Sequence, residues 1–295
     1  MTADEVTTPD VYSISVTLEP LTEAVVSQMQ GYHAYALFLK LLRASNPSLA
    51  EELHGLDGPK PFTVSHLQDK FGRNENGLRL IPKSEYSLKL TFLRSDVLAH
   101  FLDGAIKWSD NALELGSASL RMKEVDTLST KNPYASFQSY QGILSSASAE
   151  RQIELEFLSP TAFRSKGRRN VVFPQPELVF GSYLNRWQAF SPVKLDDSIL
   201  AWLDSTIVAR YKLDTRILHF GSYQEVGFTG KCRFLLDRNT PEEIVVALNA
   251  LADFAFYCGT GAKTTMGMGQ TRRVRGARNT KWGRGGGIAP RMEAK

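Results

Sequence analysis

His54 and Lys60 carry groups able to move a proton and to hold a negative charge. His54 closes the segment Leu49-Ala-Glu-Glu-Leu-His54, and Lys60 follows in Gly58-Pro-Lys-Pro-Phe-Thr-Val-Ser65. An imidazole exchanges a proton near neutral pH, and an ammonium beside it adds a fixed positive charge. A histidine at a helix end also serves as a plain C-terminal cap, so the type alone leaves both readings open. His33, in Gly31-Tyr-His-Ala-Tyr35, is the second candidate, placed where a glycine interrupts the first helical pattern. His100 falls within a helical pattern and His219 ends a long strand, which are structural positions.

A second constellation is Gly259-Thr-Gly-Ala-Lys-Thr-Thr-Met-Gly-Met-Gly269. Gly259, Gly261, Gly267 and Gly269 allow positive φ and close approach of a ligand to backbone N–H groups. Lys263, followed by Thr264, suggests that such a ligand carries phosphate. A dinucleotide fingerprint would follow a strand and open a helix. Here the preceding stretch, Pro241 to Phe256, is itself helical, and the basic run Gln270-Thr-Arg-Arg-Val-Arg275 comes after the loop. A Walker loop needs Gly-Lys-Ser/Thr in succession, and Ala262 breaks it. A glycine-rich turn without a ligand remains open; helix, loop and basic strand match an RNA-backbone cradle better.

The net charge of +4 is unevenly placed. Residues 272–295 hold eight basic side chains, among them Arg272 and Arg273, against Glu293 alone, which leaves the rest of the chain slightly acidic. A smaller cluster is Arg164, Lys166, Arg168 and Arg169. Two basic patches suit one polyanion, and solvated basic loops would look the same. Two cysteines give neither a disulfide framework nor a metal cluster, and no carboxylate motif has metal spacing. No metal and no other cofactor is therefore expected. No apolar run is long enough for a bilayer and Met1–Asp10 lacks a signal peptide's pattern, so a cytoplasmic protein with no membrane partner is expected.

Elements must position these groups. The alternation in Val11–Leu18 predicts a strand, Thr22–Ala44 a helix with a pause near Gly31, and Asn46 to Glu52 a short second helix. Strands over Phe62–Leu67, Leu78–Ile81 and Tyr86–Leu93, a helix over Asp96–Ile106 and a strand over Ala118–Val125 follow. The order is βαββαβ, the ferredoxin-like unit. A linker is expected over Lys131–Ser148. The order then repeats through a strand at Gln152–Leu158, helices at Gln175–Phe190 and Asp197–Leu203, and strands at Ile207–Phe220 and Val226–Leu235. Helix Pro241–Phe256 and a last strand near Gly269–Val274 complete the repeat. The expected class is α+β, with two tandem ferredoxin-like (RRM-like) domains flanking a central groove. The domains are 1–135, with the candidate histidines, and 136–275, with the glycine-rich loop, and 276–295 reads as a disordered basic tail.

Taken in order, the His54 segment, the Lys60 segment, Phe157-Leu-Ser-Pro-Thr-Ala-Phe-Arg164 and the Gly259–Gly269 loop resemble the CRISPR-associated endoribonucleases of the Cas-six family. The resemblance runs from the first helix to Arg273. It implies a metal-independent cut within each repeat of a precursor CRISPR RNA. The upstream 2′-hydroxyl attacks, leaving a 2′,3′-cyclic phosphate and a 5′-hydroxyl. It implies CRISPR repeat RNA as partner, with other CRISPR-associated effector subunits left open. His54 matches the family's histidine and Lys60 a lysine used by some members. Leu39 stands where some members have a tyrosine, so His33, Tyr32 or Tyr35 would fill that role. For binding it implies the four loop glycines, Lys263 and Thr264, together with Arg272, Arg273 and the cluster Arg164, Lys166, Arg168 and Arg169. A non-catalytic repeat-RNA-binding protein or effector-complex subunit of the same fold is the alternative.

Overall fold

The computed structural model describes residues 9–27, 30–68, 78–130, 132–164, 170–220 and 223–275. Lys166, Arg168, Arg169 and the expected tail 276–295 lie outside the described residues.

In the first half, β1 (Val11–Pro20), β2 (Ala24–Val26), α1 (Gln30–Ser45) and α2 (Pro47–Gly55) come first. They are followed by β3 (Phe62–Gln68), β4 (Leu78–Leu80), β5 (Tyr86–Phe92), α3 (Ser95–Lys107), β6 (Leu113–Leu115), β7 (Ala118–Asp126) and β8 (Ser136–Gln138). The antiparallel sheet runs β3-β5-β1-β7-β6, with β8 also paired to β1. One face carries Ile14, Val16 and Leu18 against α1 and α3. Ser13 and Ser15 are buried as well, because the second half covers the other face. That double burial blurs the alternation expected of a half-exposed strand.

The second half comprises α4 (Tyr140–Ser145), β9 (Gln152–Thr161), α5 (Pro176–Phe190), a 3-10 turn at Asp197–Trp202, β10 (Ile207–His219), β11 (Gln224–Leu235) and α6 (Glu242–Cys258). A second 3-10 turn at Thr264–Met266 and β12 (Thr271–Arg273) follow. Its sheet runs β10-β11-β9-β12, again antiparallel. Ranked by their place in each βαββαβ unit, both sheets have the order second, third, first, fourth. The fold is α+β with two ferredoxin-like units in tandem.

Two segments differ from expectation. The helix expected from Thr22 begins only at Gln30, and Ala24–Val26 pairs with Leu78–Leu80 instead. The β-branched pair Val25-Val26 suits a ladder, and Val26 is fully buried there. The expected linker contributes β8 to the first sheet and α4 to the second core, where Tyr140 and Ile143 are buried.

The C-terminal end of α6 locks the halves together. Its last carbonyls have no intrahelical partner. Lys89 Nζ on β5 donates to Phe256 O at 2.8 Å and lies 3.6 Å from the centre of the Phe256 ring. Thr91 Oγ1 donates to Tyr257 O beside it. Burial pushes the Lys89 ammonium down to about 7, from an ordinary value of 10.5. Between those two values the unfolded chain binds a proton that the folded chain releases, so folding stability rises with pH across that window. Denaturant titrations at pH 6 and pH 9 should show a gain in wild-type stability that Lys89→Met lacks; parallel gains would contradict this. Among the described residues no helix is long and apolar enough to cross a membrane.

Candidate active site

Asn46 opens α2 by accepting from Leu49 N at 3.0 Å, with Pro47 in the first turn. Both choices suit a helix start. Lys60 closes the same helix, its ammonium donating to the carbonyls of Leu53, His54 and Leu56, the latter two at 3.1 Å. Lys60 therefore fixes the backbone that carries His54. Burial lowers its pKa, with Asp57 acting in the opposite direction.

The His54 side chain is exposed, and its Nδ1 lies 3.2 Å from Tyr35 Oη on α1. The two rings stack at 6.2 Å between centres. Tyr35 is 5% exposed, and burial, reinforced by Tyr32, raises its pKa. The phenol accordingly stays protonated near neutral pH. When Nδ1–H donates to Tyr35 Oη, the Nε2 lone pair is open as a base; once protonated, the same nitrogen is an acid. Leu39, one turn further along α1, is buried in the core. Tyr35 occupies the place beside His54 that Leu39 cannot fill.

His33 sits elsewhere. It is two residues from Tyr35 on a helix, which turns it to the opposite side. Its ring packs against the β6–β7 turn, where a Cβ at Gly116 would lie 3.2 Å from His33 Nε2. The structure thus joins His54, Tyr35 and Lys60 and leaves His33 apart. His100 contacts Ser45 Oγ at 3.1 Å and Asn46 Nδ2 at 3.2 Å, a structural position.

The glycine-rich loop seats against both halves, and its glycine N–H groups are already engaged. Gly259 N donates to Ala255 O, Gly261 N to Ser182 Oγ, Gly267 N to Val64 O and Gly269 N to Pro160 O. The glycines are needed for packing. At Gly261, φ is +72° and a Cβ would come within 2.3 Å of Ala162 O. At Gly267, φ is +87° and a Cβ would strike the His66 ring at 2.5 Å. The Ser159-Pro-Thr-Ala-Phe163 stretch is the loop's dock: Ala262 N donates to Ala162 O and Gln270 N to Ser159 Oγ.

Lys263 is also engaged. It adopts φ +55°, and its ammonium donates to Tyr223 Oη at 2.6 Å and pairs with Glu225 at 3.3 Å. The Phe220 and Tyr223 rings lie 4.7 and 4.4 Å from it. Thr264 Oγ1 lies 3.5 Å from Arg186 of α5. Arg273 is nearly buried and pairs with Asp253 at 3.1 Å, while Arg272 is exposed and pairs with Glu156 at 2.8 Å. Arg164 is exposed and lines a cleft of about 480 Å³ between the loop and the Gly58–Lys60 segment. Arg186 lines the same cleft, and nothing in its mid-helix setting marked it in the sequence.

Two family models match the chain. The one described as "CRISPR Cas6 N-terminal domain" covers residues 10–145, and "CRISPR-associated endoribonuclease Cas6" covers residues 155–271. The chain belongs to the Cas6 family. Its Cas6 relatives include the CRISPR-associated endoribonuclease Cas6 of Mycobacterium tuberculosis, 29% identical over 124 residues, or 41% of this chain and 38% of that protein. That of Streptococcus thermophilus is 26% identical over 130 residues, or 43% of this chain and 52% of that protein. The aligned segments thus span about half or less of these curated relatives. A product complex of Thermus thermophilus Cas6 superposes with a TM-score of 0.78 at 28% identity, covering 90% of this chain and 100% of that one.

Proposed function

We propose that this chain binds CRISPR repeat RNA and cuts precursor CRISPR RNA within each repeat, at the corner formed by His54, Tyr35 and Lys60. The observation that carries the reading is the 3.2 Å contact of Tyr35 Oη with His54 Nδ1, on an exposed imidazole whose own backbone is held by Lys60. Family membership supplies the reaction class.

His54 Nε2 accepts the proton of the 2′-hydroxyl upstream of the scissile phosphate as the 2′-oxygen attacks, and the imidazolium so formed delivers that proton to the departing 5′-oxygen. Attack of the 2′-oxygen on phosphorus breaks the bond to the 5′-oxygen and leaves a 2′,3′-cyclic phosphate and a 5′-hydroxyl. Tyr35 fixes the ring and its tautomer. The Lys60 ammonium, held close by, favours the crowded and negatively charged phosphorane. Among the described residues no group of three or more His, Cys, Asp or Glu could hold a metal ion, and the reading assigns the proton transfers to side chains.

Incubating end-labelled repeat RNA with the protein tests this. A discrete shorter product is expected, and a gel shift without cleavage would leave only a binding protein.

RNA contact by Lys263 means exchanging or sharing Glu225, since the two side chains already pair. Glu225→Gln should therefore tighten repeat binding several-fold and steepen its salt dependence, while Lys263→Ala weakens binding and flattens it. Salt slopes unchanged in both variants would remove Lys263 from the interface. Arg273, being nearly buried and paired with Asp253, is assigned to holding β12 on α6.

A further inference from the structure

The cleft between the loop and the Gly58–Lys60 segment is lined by Lys60, Arg164, Arg186 and Lys263, and by no carboxylate among the described residues. Lys60 is engaged with α2 and Lys263 with Glu225. Arg186, like Lys60, meets neutral carbonyls, but it is the more deeply buried cation. It is 9% exposed, donates to Ser182 O at 3.1 Å and Gly261 O at 2.7 Å, and has no ion-pair partner among the described residues. A buried guanidinium is costly unless an anion meets it, and neutral carbonyls offset that cost only in part. Arg164, at the cleft's rim, adds a second fork. The remaining wall includes the half-buried apolar residues Leu178 and Met266.

We propose that this cleft is a single-nucleotide subsite in which Arg186 and Arg164 clamp one phosphodiester of an unpaired RNA strand, its base lying against Leu178 and Met266. A cleft of about 480 Å³ is in the size range of small-ligand pockets and excludes a duplex. Guanidinium forks match phosphate oxygens two at a time, and apolar walls accept a base face without reading its edge. Gly58–Lys60 forms one wall and begins four residues after His54, so the subsite is assigned a linkage neighbouring the one that is cut. The subsite thereby sets which phosphate reaches the imidazole. This rests on the reading of the chain as a repeat-RNA nuclease.

The test uses repeat RNA blocked by a 2′-deoxy sugar at the cleavage position and carrying one neutral methylphosphonate linkage at a time along its unpaired flank. Wild-type protein should lose about tenfold in affinity at one linkage, the size of one charge-assisted contact. Arg164→Ala and Arg186→Gln should each bind unmodified RNA about tenfold more weakly and no longer discriminate that linkage. Arg164 is exposed, so its variant reports even where Arg186→Gln does not fold. A flank with no sensitive linkage, or full discrimination retained in Arg164→Ala, would overturn the subsite while leaving repeat binding intact. Failure of the wild type to bind the repeat at all would overturn the underlying reading, and the subsite with it.

Discussion

His54→Ala is expected to slow repeat cleavage by about 10²–10⁴, the usual contribution of a positioned acid–base group, with repeat affinity kept within about twofold. The separation of the two effects follows from the geometry. The imidazole is exposed, so its removal leaves no core cavity. Lys60 holds α2 through backbone carbonyls and does so whatever side chain stands at position 54. Tyr35→Phe should slow cleavage less, about tenfold, and alter its pH profile, since the ring loses the partner that fixes its tautomer. His33→Ala should cut at close to the wild-type rate, because His33 packs against the Gly116 turn on the other side of α1. Single-turnover rates with matched binding curves decide these together. A His54→Ala protein cutting at full rate would end the assignment.

Gly31→Ala should be among the most damaging small substitutions in the first half. In an ordinary helix, alanine for glycine gains up to about 1 kcal/mol. Here an added Cβ would sit 1.9 Å from Met266 O and 2.4 Å from its carbonyl carbon, so the glycine-rich loop would have to leave α1. Both partners are backbone, and neither can swing aside. A loss of about 3 kcal/mol is expected, at the upper end for overpacking, together with weaker repeat binding. Gly55→Ala is the matched control: nothing lies within 4 Å of its Cβ position, and its stability should stay near wild type. Equal midpoints for the two variants in denaturant would contradict the docking of loop on helix.

What the sequence revealed depended on whether a pattern was local. Strands such as Tyr86–Phe92 and helices such as Ser95–Lys107 follow directly from period and propensity. The Ser- and Ala-rich stretch before Gln152 looked like a linker because two buried residues, Tyr140 and Ile143, are too few to make a period. At the site, His54 and Lys60 were visible as types, and Tyr35 remained one of three possibilities. Choosing it required the packing of α1 on α2. The loop shows the opposite case, in which the pattern was plain and its use was hidden. Its glycine N–H groups bond within the protein, and Lys263 meets Glu225, thirty-eight residues earlier in the chain. Arg186 gave no signal, since one arginine in an amphipathic helix normally faces solvent.

The most direct measurement is an end-group assay on repeat RNA cut by wild-type protein in EDTA. The account predicts undiminished cleavage, with a 2′,3′-cyclic phosphate on the upstream fragment and a 5′-hydroxyl on the downstream one. Loss of cleavage on chelation, or a 5′-phosphate on the downstream fragment, would contradict attack by the 2′-hydroxyl at the His54 corner.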